Sequence, residues 1–212
     1  MKRCRMRVDG GGRLRAGRRY AAVMASSRHG PAFLYVLRMS GAEDLLKVGL
    51  TADPVARWSG FHRRWFEAFD LERTLLVETE TRGDAQRLET ALHRTLKAYG
   101  CPVPLTMRAF AGGATEWYRG ASAAAREFVA RCEADGFTVH MDARPHVVGR
   151  LGAQRHVVAS VLDQAVRNDR DGVLTPEEIE AVRDLADAHR AFGVDLSDML
   201  PADALAMLRL DG

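Results

Sequence analysis

Residues 31–51 read PAFLYVLRMSGAEDLLKVGLT, two apolar runs separated by a short polar stretch around Gly41. Runs rich in Val, Leu and aromatic residues, bounded by turn formers, read as strands over about 32–38 and 45–51, and their short separation makes them a hairpin. A hairpin symmetric about Gly41 sets Tyr35 opposite Lys47, Phe33 opposite Gly49 and Leu37 opposite Leu45. Strand alternation then places Leu34, Val36, Leu46, Val48 and Leu50 on one continuous apolar face that must be covered, and leaves the other face to present a tyrosine and a lysine.

Working outward, Asp53 is a natural N-cap and Pro54 fits the first helical position. The helix they open runs to Phe69, with Val55, Trp58, Phe61, Trp65 and Phe69 as its apolar set and Arg57 and Arg64 together on one side. A third strand is expected over 71–79, and a helix over 84–99 striped by Leu88, Leu92, Leu96 and Tyr99, stopped by Gly100. Pro102, Pro104, Gly112 and Gly113 mark 100–115 as a long loop. A helix over 121–134 and a short strand, FTVHM, close this unit near residue 142. Three helical patterns follow, at about 153–167, 176–191 and 198–209, the second opened by a Thr175/Glu178 capping box. The fold class is α+β: a small three-stranded antiparallel sheet flanked by helices, with a helical C-terminal extension. The chain divides into a basic tail, 1–30, a central domain, 31–142, and a helical region, 143–212.

Composition bounds the function. Apolar residues make up 47% and charged residues 28%, which suits a globular chain and excludes a fibrous repeat or disorder throughout. No apolar run reaches the ~20 residues of a membrane helix. Cys4, Cys101 and Cys132 are odd in number and form no CxxC pair, against a disulfide framework or a cysteine zinc site and in favour of a reducing, cytoplasmic setting. The basic start leads into no apolar segment of the secretory type, and Met24 is an alternative start to this arm. Residues 1–30 carry nine Lys or Arg against one Asp, 31–142 fourteen against fifteen, and 143–212 eight against twelve. The net charge of +3 therefore belongs to the N-terminal arm, whose Arg and Gly content without apolar period suits disorder and salt-dependent attraction to nucleic acid.

The order LYV at 34–36, KVGLT at 47–51, Arg57, Glu89 and EWY at 116–118 resembles the GIY-YIG nuclease superfamily, in particular its phage-associated branch, over about residues 32–119. The resemblance implies a metal-dependent endonuclease that hydrolyses DNA phosphodiester bonds, with RNA as a further possible substrate. It assigns Glu89 to a Mg²⁺ or Mn²⁺ ion, Arg57 to the phosphate and Tyr35 to the attacking water, as its base or positioner. Lys47 stands where the family has a second tyrosine. Set opposite Tyr35, its ammonium would favour the phenolate or bind phosphate directly. His62 occupies a position where relatives often carry histidine and would contact phosphate or shuttle a proton. Arg63 and Arg64 add cationic contacts for substrate, and His93, four residues after Glu89, reaches toward the ion's water shell. The alternative is a catalytically inactive module that keeps the fold and binds nucleic acid or protein.

Two features read more simply. Trp58, Trp65 and Trp117 are core residues by type. RNDRDGVLTPEE, 167–178, has the outline of a calcium loop, but Arg167 stands where the first carboxylate belongs, so a turn leading into a capped helix is the better reading.

Overall fold

The structure is a computed structural model, and it describes residues 31–104, 107 and 115–208. The basic tail, 1–30, and most of the expected 100–115 loop lie outside the described residues. The hairpin is present: β1 (Ala32–Met39) pairs antiparallel with β2 (Leu45–Thr51). Its centre lies one residue beyond Gly41, so each partner moves by two and Tyr35 faces Gly49 while Lys47 faces Leu37. A two-residue shift preserves both faces but removes the expected Tyr35–Lys47 pairing. Gly41 still serves the turn, at φ +120°, in a region that side chains disfavour.

The three-stranded expectation is corrected by the sheet itself, which has five strands in the order β4-β2-β1-β3-β5. To β3 (Phe69–Thr79) are added β4 (Trp117–Arg119), paired with β2, and β5 (Val139–His140), paired with β3. Both edge strands are two or three residues long, too short to display alternation, and they exist because the hairpin and β3 offer unpaired backbone groups. The α+β class holds.

The expected 54–69 helix is also broken. It becomes α1 (Pro54–Ser59), a turn through Gly60, and α2 (Trp65–Ala68), with Phe69 already in β3. The break lets Trp58, Phe61, Trp65 and Phe69 all be buried on one side of the sheet. The N-cap reading is met: Asp53 accepts from the Ala56 amide at 3.1 Å.

Helices cover both faces. On one, Leu34, Val36, Leu46, Val48, Leu75 and Val77 pack against α3 (Arg82–Thr95) and α4 (Ser122–Ala134). On the other, Phe33, Tyr35, Leu37, Leu45 and Leu76 pack against α1, α2 and α5 (Arg144–Arg170). The expectation that the Tyr35 face is open is therefore corrected: it is core as well. Strands buried on both faces read as nearly continuous apolar runs, which is how LYVL and LLKVGL look.

The helix α5 has 27 residues and begins nine residues before its expected start. Pro145, Gly149 and Gly152 weaken the helical signal there, although a proline in the first turn is compatible with a helix. Its first half joins the Tyr35 face through Val147 and Leu151. Its second half forms a separate cluster with α6 (Pro176–Ala191) and α7 (Ala202–Leu208), in which Leu162, Val166, Leu185 and Leu208 are buried. Arg150 ties the two regions by donating to Asp53 at 2.7 Å. The Thr175/Glu178 capping box is present, with both reciprocal hydrogen bonds.

Candidate functional site

The site is built around Tyr35, whose ring lies across β2 at Gly49. A Cβ on Gly49 would stand 2.3 Å from the Tyr35 hydroxyl oxygen and 2.6 Å from Cζ, so the close approach requires glycine. Trp58 meets the Tyr35 ring edge to face at 6.1 Å and Phe61 lies 6.5 Å away. The residue is 1% exposed. Burial pushes the phenol up to about 12; the Arg57 guanidinium, hydrogen-bonded to the hydroxyl, pulls against this, and the charges of Glu116 and Glu89 add to the rise.

Two cations gather at one ring. Arg57 lies 4.7 Å from the Phe61 centroid and Lys47 Nζ 5.3 Å from it, so the ring's negative faces attract both. Arg57 is exposed, whereas Lys47 is fully buried. A buried ammonium demands a counter-charge. Glu116, just before β4, supplies it by accepting from Lys47 Nζ at 2.6 Å. Burial still lowers the Lys47 pKa, and Arg57 adds to the lowering, while Glu116 and Glu89 favour the charged form. Arg57 is the cation that acts on the Tyr35 hydroxyl.

Glu89 belongs to α3, on the far face of the sheet from Tyr35, yet its charge reaches Tyr35, Lys47 and Tyr118 around the β2 edge. One carboxylate oxygen accepts from Gln86 at 2.7 Å; the other lies 3.9 Å from His93 Nε2. The opposite nitrogen of His93 is 2.6 Å from the Tyr118 hydroxyl. Tyr118 is also raised, chiefly by burial. Lys47, Arg57 and Glu116 thus gather near Tyr35, while Glu89, His93 and Tyr118 form a second set whose carboxylate charge bears on the first.

His62, Arg63 and Arg64 lie in the turn before α2, after Phe61. His62 Nδ1 accepts from the Arg64 amide at 3.1 Å. Arg63 and Arg64 both bond Asp184 of α6, at 2.5 and 2.9 Å, and Arg64 also bonds Asp187 and Glu67. These arginines fasten α6 to the sheet region. Trp117 is fully buried and packs under Lys47, as its residue type suggested.

Glu116 and Tyr118 are the members that residue reasoning did not single out, although both lie in the EWY segment. The signal available was Lys47: a lysine in the middle of an apolar strand needs a carboxylate, and EWY holds one beside a run able to extend the sheet.

Residues 32–133 match the family described as the T5orf172 domain, to which this part of the chain is similar. No curated protein and no solved structure matches the chain. Among the described residues, no helix is long and apolar enough to cross a membrane.

Proposed function

We propose that residues 32–133 act on nucleic acid, cutting DNA phosphodiester bonds at the group around Tyr35. The match to the T5orf172 domain is compatible with a nuclease-like or nucleic-acid-binding role. What carries the finer reading is the Arg57 guanidinium beside the Tyr35 hydroxyl, at a phenol that also feels the charge of Glu89, although the three are far apart in sequence.

Arg57 is exposed and offers a planar fork of donors, suited to phosphate oxygens and to charge developing on them. Tyr35, held neutral with a pKa of about 12, acts as a hydrogen-bond donor that positions the attacking water or a phosphate oxygen. A phenol that stays protonated at neutral pH is a positioner before it is a base. The Lys47–Glu116 pair lies beside this group, and the carboxylate favours the charged form of the lysine against its burial.

A divalent cation fits the donor set. Glu89 is 12% exposed at its side chain, accepts from Gln86 at one oxygen and has the other 3.9 Å from His93 Nε2. One carboxylate with several waters is a normal Mg²⁺ arrangement, and Glu89 would hold such an ion. Bound there, Mg²⁺ or Mn²⁺ supplies Lewis-acid polarisation of the phosphate.

One observation favours the second reading, a binding module without catalysis: the Tyr35 ring is almost wholly enclosed. Incubating supercoiled plasmid with the protein, in Mn²⁺ or in EDTA, separates the two. Nicking that needs the metal and disappears in Glu89→Ala and Arg57→Ala supports the enzyme. Retention of plasmid without nicking under any divalent ion overturns it and leaves the binding module.

A further inference from the structure

At the opposite edge of the sheet from Glu116, three side chains without any role so far come together. They are Glu78 in β3, His140 in β5 and His146 in the first turn of α5. The β3–β5 pairing sets His140 opposite Leu76, and alternation puts Leu76 and Glu78 on the same face. His140 Nε2 consequently stands 2.8 Å from Glu78 Oε1. His146 comes onto that face from α5. Its ring packs edge-on against His140 at 5.5 Å and against Phe33, the β1 neighbour of Glu78, at 5.0 Å.

One ligand-capable atom from each of the three lies within 4.8 Å of the others, and all three residues are half-buried. A Glu–His hydrogen bond needs no third member, so the second imidazole asks for a different account. Two imidazole nitrogens and a carboxylate oxygen are the donor set of a catalytic-type zinc site, at bond lengths of ~2.0–2.2 Å. Such lengths place ligand atoms roughly 3.3 Å apart in a tetrahedron, within reach of small side-chain rotations from the observed spacing. Imidazole also argues against Mg²⁺ or Ca²⁺, which prefer oxygen alone. Nearby, Glu78 borders a cavity shared with Glu80, Asp84 and Asp135, whose acidic lining draws cations.

We propose that Glu78, His140 and His146 form a three-ligand site for a borderline transition-metal ion of the Zn²⁺ type. The ion joins α5 to the paired strands β3 and β5, and leaves a fourth position for water or a further ligand. The proposal stands whether or not the Tyr35 group cuts DNA, because it uses none of those residues.

The test is calorimetric titration of the full, chelator-treated chain with ZnCl2, beside the visible spectrum of the Co²⁺-loaded protein. The expected result is one ion per chain, with binding weakened roughly tenfold or more in His140→Ala and in His146→Ala. In the same two variants the Co²⁺ bands of a low-coordinate nitrogen–oxygen site should collapse. Glu78→Gln, which keeps size and a hydrogen-bonding oxygen, checks that a loss follows from donor chemistry and not from unfolding, with circular dichroism confirming the fold of each variant. Zn²⁺ should raise the melting temperature of the parent and leave that of His146→Ala unchanged. Affinity that is the same in parent, His140→Ala and His146→Ala would place any bound zinc on other histidines or cysteines and overturn the site, as would the absence of binding tighter than millimolar.

Discussion

Replacing Gly49 with alanine should destabilise the chain by about 0.5–2 kcal/mol, and the effect should change sign when Tyr35 is shortened. The new methyl carbon would stand 2.3 Å from the Tyr35 hydroxyl oxygen, 2.6 Å from Cζ and 3.1 Å from Cε1. An ordinary contact needs ~3.5 Å or more, so the ring must retreat by roughly 1 Å. It has little room, because Trp58 and Phe61 flank it and Arg57 holds its hydroxyl. Overpacking of this kind typically costs ~1–3 kcal/mol. Against it, alanine in place of glycine removes unfolded-state freedom worth ~0.4–1 kcal/mol, and the backbone at 49 does not sit at positive φ. In a Tyr35→Leu background the obstructing atoms are gone, only the entropic gain remains, and Gly49→Ala should stabilise. Urea unfolding followed by the fluorescence of buried Trp58, Trp65 and Trp117 measures all four corners of the cycle. A penalty of equal size in both backgrounds would refute the contact as its cause.

Glu116→Gln should cost more stability than Lys47→Met, because it leaves an ammonium fully buried without its carboxylate, whereas a freed Glu116 is still 28% exposed and can rehydrate; equal melting temperatures would contradict this. Asp184→Asn should lower stability by ~1–3 kcal/mol, since this buried carboxylate accepts from both Arg63 and Arg64; chemical denaturation reads it, and a change below ~0.5 kcal/mol would show the arginines indifferent to α6. Acidification should erode stability through the histidine range. His189 is buried with Nδ1 donating to the Leu185 carbonyl at 2.9 Å, and burial lowers its pKa from 6.5. The unfolded chain therefore takes up a proton first, and stability falls as pH drops from about 6.5 toward the lower folded value. His189→Leu should flatten that limb of a urea-midpoint profile between pH 8 and 5, and an unchanged slope would exclude His189 as its source.

The hairpin, the third strand, the Asp53 cap and the Thr175 capping box were all readable, because each is written in local residue pattern. What was not readable depended on partners distant in the chain. β4 owes its existence to the free edge of β2, and a three-residue segment cannot announce a strand alone. The hairpin centre, one residue beyond Gly41, was set by pairing along the whole strand and not by the turn glycine, and with it went the directly opposite placement of Tyr35 and Lys47. Arg57 and Glu89 were singled out through the family resemblance, and the charges of both bear on the Tyr35 phenol. Arg63 and Arg64 were also singled out as cations, but charge alone does not say whether a guanidinium faces a phosphate or an aspartate on a helix 120 residues later.

The helix α5 forms a wall of two clusters at once, and that has a bearing on how the protein is handled. A chain cut before Arg144 would bare the flank of the sheet that Val147 and Leu151 shield, in the cluster that also holds Tyr35. Deletion series meant to isolate an activity should therefore keep this rod whole and trim, if at all, beyond it.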